Sequence, residues 1–240
     1  MRLGAFTGLA TVLSPALRLG KARGADTPVF CNENRPETPA NALDALIEGN
    51  QRWATFKQAH PGEDAERRTC VLDPPEGNGQ TPYAAIVSCS DSRVPPELVF
   101  DQGIGDLFVA RVAGNGATGT LTESLYYGTD ALRALVLFVL GHSECGAVKA
   151  AVTSFPRHEL QFARLLFPAV RLARRMVREA GGDPNDSKQV IPIATDQNVI
   201  LSVQALRGSR FFRQMVRDGT LLIAGGVYDL KTQQVNILIQ

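Results

Sequence analysis

The sequence predicts an α/β fold, with a mostly parallel central sheet flanked by helices, an N-terminal helical arm and a C-terminal strand hairpin. The first observation is that short, continuous apolar runs alternate with segments of helical periodicity. The second is that these runs are bounded by breaker residues and do not alternate with polar residues, which is typical of strands buried on both faces. The third is that two of the runs are followed directly by cysteine or histidine, at the strand ends where α/β proteins bind ligands.

The predicted elements follow from these patterns in chain order. A helical arm at 40–58 precedes a loop rich in proline, glycine and charge, and Gly181–Asn185 is a clear break in the second half. Apolar runs predict strands at 83–88, 107–111, 134–140, 221–224 and 235–238, the last two joined by a hairpin at 229–233. Helical periodicity predicts helices at 121–132, 164–178, 197–206 and 208–218. We interpret the arginines of 164–178 as the solvated face of an amphipathic helix, in preference to a surface for a partner or a membrane.

Two short segments carry the chemistry of the chain. Cys89 follows the first buried strand, whereas His142 and Cys145 follow a later one. Because the carboxyl ends of parallel strands share one edge of a sheet, we expect these side chains to meet. His142 and Cys145 are three residues apart, so one turn can present both to a single ion. Gly141 and Gly146 give that turn conformational room.

Zinc is the metal that this donor set favours. Thiolate and imidazole select zinc over magnesium or calcium, which prefer oxygen ligands. Three protein ligands leave the fourth tetrahedral position for water, which is the arrangement of a catalytic site. The alternative is that the cysteines are small buried hydrophobic residues and that the histidine is a core residue.

Asp91 leaves two interpretations of the site open. Its position two residues after Cys89 would let it become a fourth ligand and close the site. Alternatively, Arg93 forms a bidentate pair with the Asp91 carboxylate, holds it away from the metal and makes it an acceptor for bound water or hydroxide.

These motifs resemble the β-class carbonic anhydrases. The likeness runs from about residue 38 to the C-terminus and is carried by three segments: Cys89–Leu98, Gly105–Asn115 and Gly141–Ala147. It implies that Cys89, His142 and Cys145 bind one Zn2+ ion and that Asp91 and Arg93 form the catalytic dyad. It also implies reversible hydration of CO2 to bicarbonate and a proton, in a homodimer or homotetramer.

The expected mechanism uses hydroxide bound to zinc, because zinc lowers the pKa of its bound water toward about 7. Two thiolate ligands donate more charge than imidazoles would, so we expect activity to rise toward alkaline pH. Backbone amides near Gly146 are candidates for binding the developing carboxylate. Gln102 is a further candidate for substrate binding because it lies close to where some relatives place such an amide; the alternative is an exposed loop residue.

Two alternative functions share the same motifs. One is hydrolysis of carbonyl sulfide or carbon disulfide at the zinc site. The other is a non-enzymatic protein that senses zinc or bicarbonate, which the presence of both Asp91 and Arg93 disfavours.

Composition predicts a soluble globular enzyme. A chain of 240 residues with 44% hydrophobic residues buries a substantial core, and we assign 26–240 to a single catalytic domain. The formal net charge of +1 gives no reason to expect nucleic acid as a partner. We also expect no integral membrane span in the mature chain.

The first 25 residues are predicted to be an export signal or, alternatively, a disordered extension. An apolar stretch too short to span a bilayer ends in Ala22–Ala25, where small residues suit cleavage. We therefore expect export to the periplasm, with a cytoplasmic protein as the alternative. Cys31 and Cys70 do not decide the compartment, since they would pair in an oxidising compartment or stay free in a reducing one.

Overall fold

A computed structural model describes residues 31–74, 80–154 and 161–240. The predicted export signal, which covers the first 25 residues, lies outside this part of the chain. Within it, no helix is both long enough and apolar enough to cross a bilayer.

Nine helices and five strands form from the described residues. The helices are α1 (Pro39–Ala54), α2 (Ala65–Leu72), α3 (Pro96–Val99), α4 (Thr120–Asp130), α5 (Gly146–Ser154), α6 (Gln161–Leu165), α7 (Phe167–Glu179), α8 (Ser187–Gly208) and α9 (Arg213–Arg217). The strands are β1 (Ala84–Ser88), β2 (Leu107–Arg111), β3 (Val136–His142), β4 (Leu222–Tyr228) and β5 (Val235–Ile239).

The five strands form one sheet in the order β2-β1-β3-β4-β5. The first four are parallel and β5 is antiparallel to β4, which confirms the predicted fold class and the C-terminal hairpin. β1 and β3 are neighbours, with Ser88 opposite Leu140. The chain segments that follow these two strands therefore emerge side by side at one edge of the sheet.

Both faces of the sheet are covered, which explains why β1 and β3 are buried along their whole length. On one face, Leu46 of α1 and Phe100 pack with Phe138 of β3. On the other face, Leu125 of α4 and Val199 of α8 belong to a second apolar cluster. Burial on both sides is why these strands are continuous apolar runs in the sequence.

A third apolar cluster lies between helices α5, α7 and α8. Val148, Val170 and Ala194 contribute to it, and Cys89 and Cys145 belong to it as well. The end of β1 is thus enclosed by helices rather than open to water on all sides.

Helix α8 starts earlier than the sequence predicts. It begins at Ser187, ten residues before the predicted start at 197, and it continues through Pro192. Proline lacks the N–H of one helical hydrogen bond, which is why the sequence favoured a later start. Packing of α8 against α7, β3 and β4 outweighs that loss, and Asp186 caps the helix by accepting a hydrogen bond from the Lys188 amide.

A disulfide between Cys31 and Cys70 joins the chain before α1 to helix α2, with the two Cα atoms 5.7 Å apart. The sequence left open whether these two cysteines are paired or free, and in the structure they are paired. Beside it, the Asn32 amide donates to the buried Asp106 carboxylate at 2.8 Å, and Arg67 of α2 pairs with the same carboxylate.

Candidate metal centre

Cys89, His142 and Cys145 converge at the carboxyl edge of the sheet. Cys89 directly follows β1, His142 ends β3, and Cys145 immediately precedes α5. The Sγ atoms of both cysteines and a ring nitrogen of the histidine all lie within 4.8 Å of one another, and all three residues are buried. A group of donors at this separation fits a single metal ion.

The histidine ring is oriented by its neighbour. His142 is 1% exposed, and its Nδ1 atom lies 2.9 Å from the Ser143 carbonyl oxygen. A carbonyl only accepts, so Nδ1 carries the proton and Nε2 is left with a free lone pair. Nε2 is buried without a hydrogen-bond partner among the described residues. An orphaned, oriented imidazole nitrogen beside two sulfur atoms is what a metal ligand requires.

The two sulfur atoms lie within hydrogen-bond distance of each other. Their Sγ atoms are 3.9 Å apart. The hydrogen bond from Cys145 holds the pKa of the Cys89 thiol well below its usual range, whereas the same contact and burial raise the pKa of Cys145. Two adjacent thiolates repel each other unless a cation lies between them. Soft donors of this kind favour zinc.

The turn that carries Cys145 has features that the sequence did not reveal. Glu144 adopts a left-handed backbone conformation, with φ at 57°. Ser143 anchors the turn to β4 and the segment beyond it: its amide donates to the Tyr228 carbonyl at 2.9 Å, and its hydroxyl accepts from the Leu230 amide at 2.9 Å. Strain of this kind at a non-glycine residue is typical of functional sites.

Asp91 and Arg93 form the bidentate pair that the sequence suggested. The Arg93 Nε atom donates to Asp91 Oδ1 at 2.9 Å, and an Nη atom donates to Oδ2 at 2.8 Å. The Arg93 guanidinium holds the pKa of the Asp91 carboxyl well below its usual range. Asp91 Oδ2 also lies 3.7 Å from His142 Nε2. Of the two arrangements considered, the structure contains the one in which Asp91 is paired with Arg93.

Arg111, the last residue of β2, binds the backbone of the segment from Cys89 to Asp91. Its Nε atom donates to the Cys89 carbonyl at 3.0 Å, and an Nη atom donates to the Asp91 carbonyl at 2.6 Å. Sequence reasoning assigned Arg111 only to a strand. The feature that indicates a role at the site is the position of Arg111 at the end of β2, directly opposite Ser88, the residue before Cys89, in the adjacent strand.

The two candidates for substrate binding lie in different places. Gly146 begins α5 beside Cys145, so its amide belongs to a helix N-terminus, and a side chain added at this residue would meet no atom within 4 Å. Gln102 instead lies near the amino ends of β1 and β2. Its amide accepts from the Tyr83 hydroxyl at 2.6 Å and donates to the Phe100 carbonyl at 2.8 Å. Within the chain, Gln102 is thus at the other end of β1 from Cys89, which gives its predicted role no support.

Comparisons with known proteins place this arrangement in a family. The family model described as carbonic anhydrase matches residues 84–235, which include β1 to β4 and the first residue of β5. The carbonic anhydrase of Mycolicibacterium smegmatis is 33% identical over 202 residues, which cover 83% of this chain and 93% of that protein. Carbonic anhydrase 2 of Mycobacterium tuberculosis is 40% identical over 116 residues, covering 48% of this chain and 54% of that protein.

Solved structures agree with the sequence comparisons. The β-carbonic anhydrase CcaA aligns with a TM-score of 0.60 at 25% identity, over 82% of this chain and 99% of that one. The tetrameric β-carbonic anhydrases of Sordaria macrospora share the fold, with a TM-score of 0.60 at 24% identity over 82% of this chain and 97% of that one. The predicted resemblance is confirmed, and the chain belongs to the β-class carbonic anhydrase family of enzymes.

Proposed function

We propose that this chain catalyses the reversible hydration of CO2 to bicarbonate and a proton at one zinc ion held by Cys89, His142 and Cys145. The observation that carries the proposal is the buried triad itself, with donor atoms within 4.8 Å and an orphaned His142 Nε2. A zinc ion bound there supplies hydroxide near neutral pH by lowering the pKa of a coordinated water.

The chain's own residues orient the reactants. Asp91, held by Arg93 on two oxygens, is fixed as a hydrogen-bond acceptor 3.7 Å from His142 Nε2. An ionised acceptor at that point orients the nucleophile and disfavours a bound anion, which would leave the carboxylate without a hydrogen-bond donor. The amide of Gly146, at the start of α5, supports the negative charge that develops on the substrate oxygens.

The test is stopped-flow CO2 hydration by zinc-quantified protein from about pH 6.5 to about pH 9. We expect kcat/KM to rise with pH, because two thiolate ligands make bound water less acidic than an all-imidazole site would. Removal of zinc by a chelator should abolish activity, and restored zinc should return it. A flat pH profile would contradict the mechanism. Absence of turnover with one zinc per chain would contradict the function; release of sulfide from carbonyl sulfide or carbon disulfide would then indicate a hydrolase, and its absence a sensor.

We also propose that the protein is a homodimer or homotetramer. Phe56 and Leu72 are 74% and 75% exposed in the single chain, and Tyr127 is 51% exposed. A partner subunit that covers such side chains would remove apolar surface from water, and a family relative from Sordaria macrospora is tetrameric. Light scattering after size-exclusion chromatography tests this, and a mass of one chain at micromolar concentration would refute it.

Export from the cytoplasm is our proposal for localisation. It is supported by the Cys31–Cys70 disulfide, since such bonds form and persist in oxidising compartments. The test is fractionation of cells that produce the full chain, followed by N-terminal sequencing and mass spectrometry without reductant. A full-length cytoplasmic protein with both thiols free would overturn the proposal.

A further inference from the structure

A chain of hydrogen bonds runs from helix α8 to the sulfur of Cys89. The Asn198 side chain is 6% exposed and donates from Nδ2 to the Gly114 carbonyl oxygen at 2.9 Å. The amide of the same glycine donates to Cys89 Sγ at 3.3 Å. Asn198 is 84 residues from Gly114 in sequence and carries no feature of the metal motifs.

We propose that Asn198 is a positioning residue for the metal centre: it aims the Gly114 N–H at the Cys89 thiolate and so sets the electron density that this ligand offers to the metal. The proposal rests on the zinc site proposed above. Hydrogen bonds to a ligating sulfur withdraw charge from it, and groups that orient ligands in this way control metal affinity as well as reactivity.

Gly114 lies in a turn that the Asn115 amide closes by donating to the Val112 carbonyl at 2.9 Å, and the Gly114 carbonyl is held from outside this turn. Gly114 has a φ of +78°, and a side chain there would meet Leu166 Cδ1 at 3.0 Å and the Ala147 Cβ at 3.3 Å. The residue is therefore a glycine packed closely against neighbouring side chains, in a backbone region that leaves the peptide free of a helix or strand. Asn198 donates a hydrogen bond to the Gly114 carbonyl oxygen, and Cys89 Sγ accepts one from the Gly114 amide.

The two hydrogen bonds act on the two peptide groups that meet at Gly114. They are coupled mechanically, because a rotation of this residue that breaks one bond also disturbs the geometry of the other. Arg111 binds the Cys89 carbonyl at 3.0 Å. Cys89 is consequently fixed through its backbone by Arg111 and through its sulfur by Gly114, and only the second contact touches the donor atom.

A purely structural role for Asn198 makes a different prediction. If the amide only satisfied a buried carbonyl, its loss would lower the melting temperature and leave the electronic properties of the metal site unchanged. The readout must therefore report on the sulfur–metal bond. Cobalt substitution provides it, because the thiolate-to-Co2+ charge-transfer band moves with the electron density on sulfur.

The experiment compares Asn198→Leu, which keeps the branched shape of the side chain and removes the donor, with Thr195→Val as a matched control. Thr195 lies one turn earlier on α8, is 4% exposed, and donates its hydroxyl to the Ile191 carbonyl within the helix. For the cobalt-loaded Asn198→Leu protein we expect the charge-transfer band at lower energy. We also expect Zn2+ affinity, measured by chelator competition, to fall by about tenfold or more. Thr195→Val should keep the wild-type band and affinity.

A folded Asn198→Leu variant with the wild-type band and unchanged zinc affinity would overturn the proposal. If this variant does not fold, Asn198→Ser is measured in the same way, because it removes the amide with less disturbance of packing. Both readouts are made without substrate. A wild-type protein that binds zinc but does not hydrate CO2 would therefore overturn the proposed function and leave the role of Asn198 decided by the spectra, whereas a wild-type protein that binds no metal overturns both.

Discussion

Removal of the Cys31–Cys70 disulfide should cost a large share of the protein's stability. The bond closes a loop with a sequence separation of 39 residues, which contains α1 and the part of α2 that precedes Cys70. In the chain-entropy model, a cross-link over a loop of this length stabilises the fold by about 4 kcal/mol at 25 °C. For a chain of this size, that corresponds to a fall in Tm of about 10 °C.

The native contacts near the bond should survive its removal. Asn32 and Arg67, each close to one of the cysteines, both bind Asp106, so the segment remains attached to α2 and to the start of β2 without the covalent link. The effect is therefore expected in the unfolded state, which gains freedom, more than in lost native contacts. Zinc content and activity should be unchanged at a temperature where the variant is folded.

The assay is urea unfolding of wild type and of the Cys31→Ala, Cys70→Ala double variant, both zinc-loaded and at equal concentration. We expect a lower midpoint for the variant, and the same loss for the wild type in reductant. A difference in the free energy of unfolding below about 1 kcal/mol, with unchanged denaturant dependence, would refute the reasoning from loop length. If reductant also lowers the unfolding midpoint of the double variant, then the reductant destabilises the protein by a route other than the Cys31–Cys70 bond.

Three further predictions test the site and its supports. Asp91→Asn should lower kcat/KM by about a hundredfold or more while zinc content stays at the wild-type value, because the ionised acceptor that Arg93 holds on two oxygens becomes a neutral amide with a single acceptor oxygen. The exposed Asp44→Asn serves as control, and equal activity of the two variants would contradict the role of the dyad. Gly114→Ala should cost about 1 to 3 kcal/mol in urea unfolding, since alanine is strained at a φ of +78°, and an unchanged midpoint would refute this. Although burial raises the pKa of the Asp101 carboxyl, hydrogen bonds from two backbone amides and from Arg52 hold that pKa below its ordinary value. The lowered pKa stabilises the folded protein above about pH 4, the pKa of the unfolded state, and this stabilisation is lost as pH falls through the lower pKa of the folded state. The difference in the free energy of unfolding between wild type and Asp101→Asn should therefore become smaller in acid. A difference that does not change with pH would contradict this prediction.

Local sequence pattern was sufficient for the strands that deliver the metal motif. Ala84–Ser88 and the run before His142 are buried on both faces, so their apolar composition reflects their place in the sheet directly. The adjacency of β1 and β3 follows from the general rule that ligands collect at one edge of a parallel sheet. The grouping of the three metal-binding candidates was thus accessible before the structure.

Long-range packing explains what the sequence did not reveal. The early start of α8 depends on its contacts with α7 and the sheet, which outweigh the cost of Pro192. The link from Asn198 to Gly114 joins residues far apart in sequence, and neither carries a motif. Gln102 was assigned by resemblance to a position near the site, but the loop that carries it returns the chain to the amino ends of the strands before β2 begins.

The order of strands has a consequence for metal uptake at the proposed site. Cys89 follows β1 and His142 ends β3, and these two strands are adjacent in space but separated in sequence by α3, β2 and α4. A partly folded chain in which β3 has not yet docked beside β1 has no complete set of ligands. On the proposed zinc site, we expect full-affinity zinc uptake to be a late folding event that requires β3 to be docked beside β1. A bound ion would then hold the two strands together and shift the folding equilibrium toward the native state in proportion to the logarithm of its free concentration.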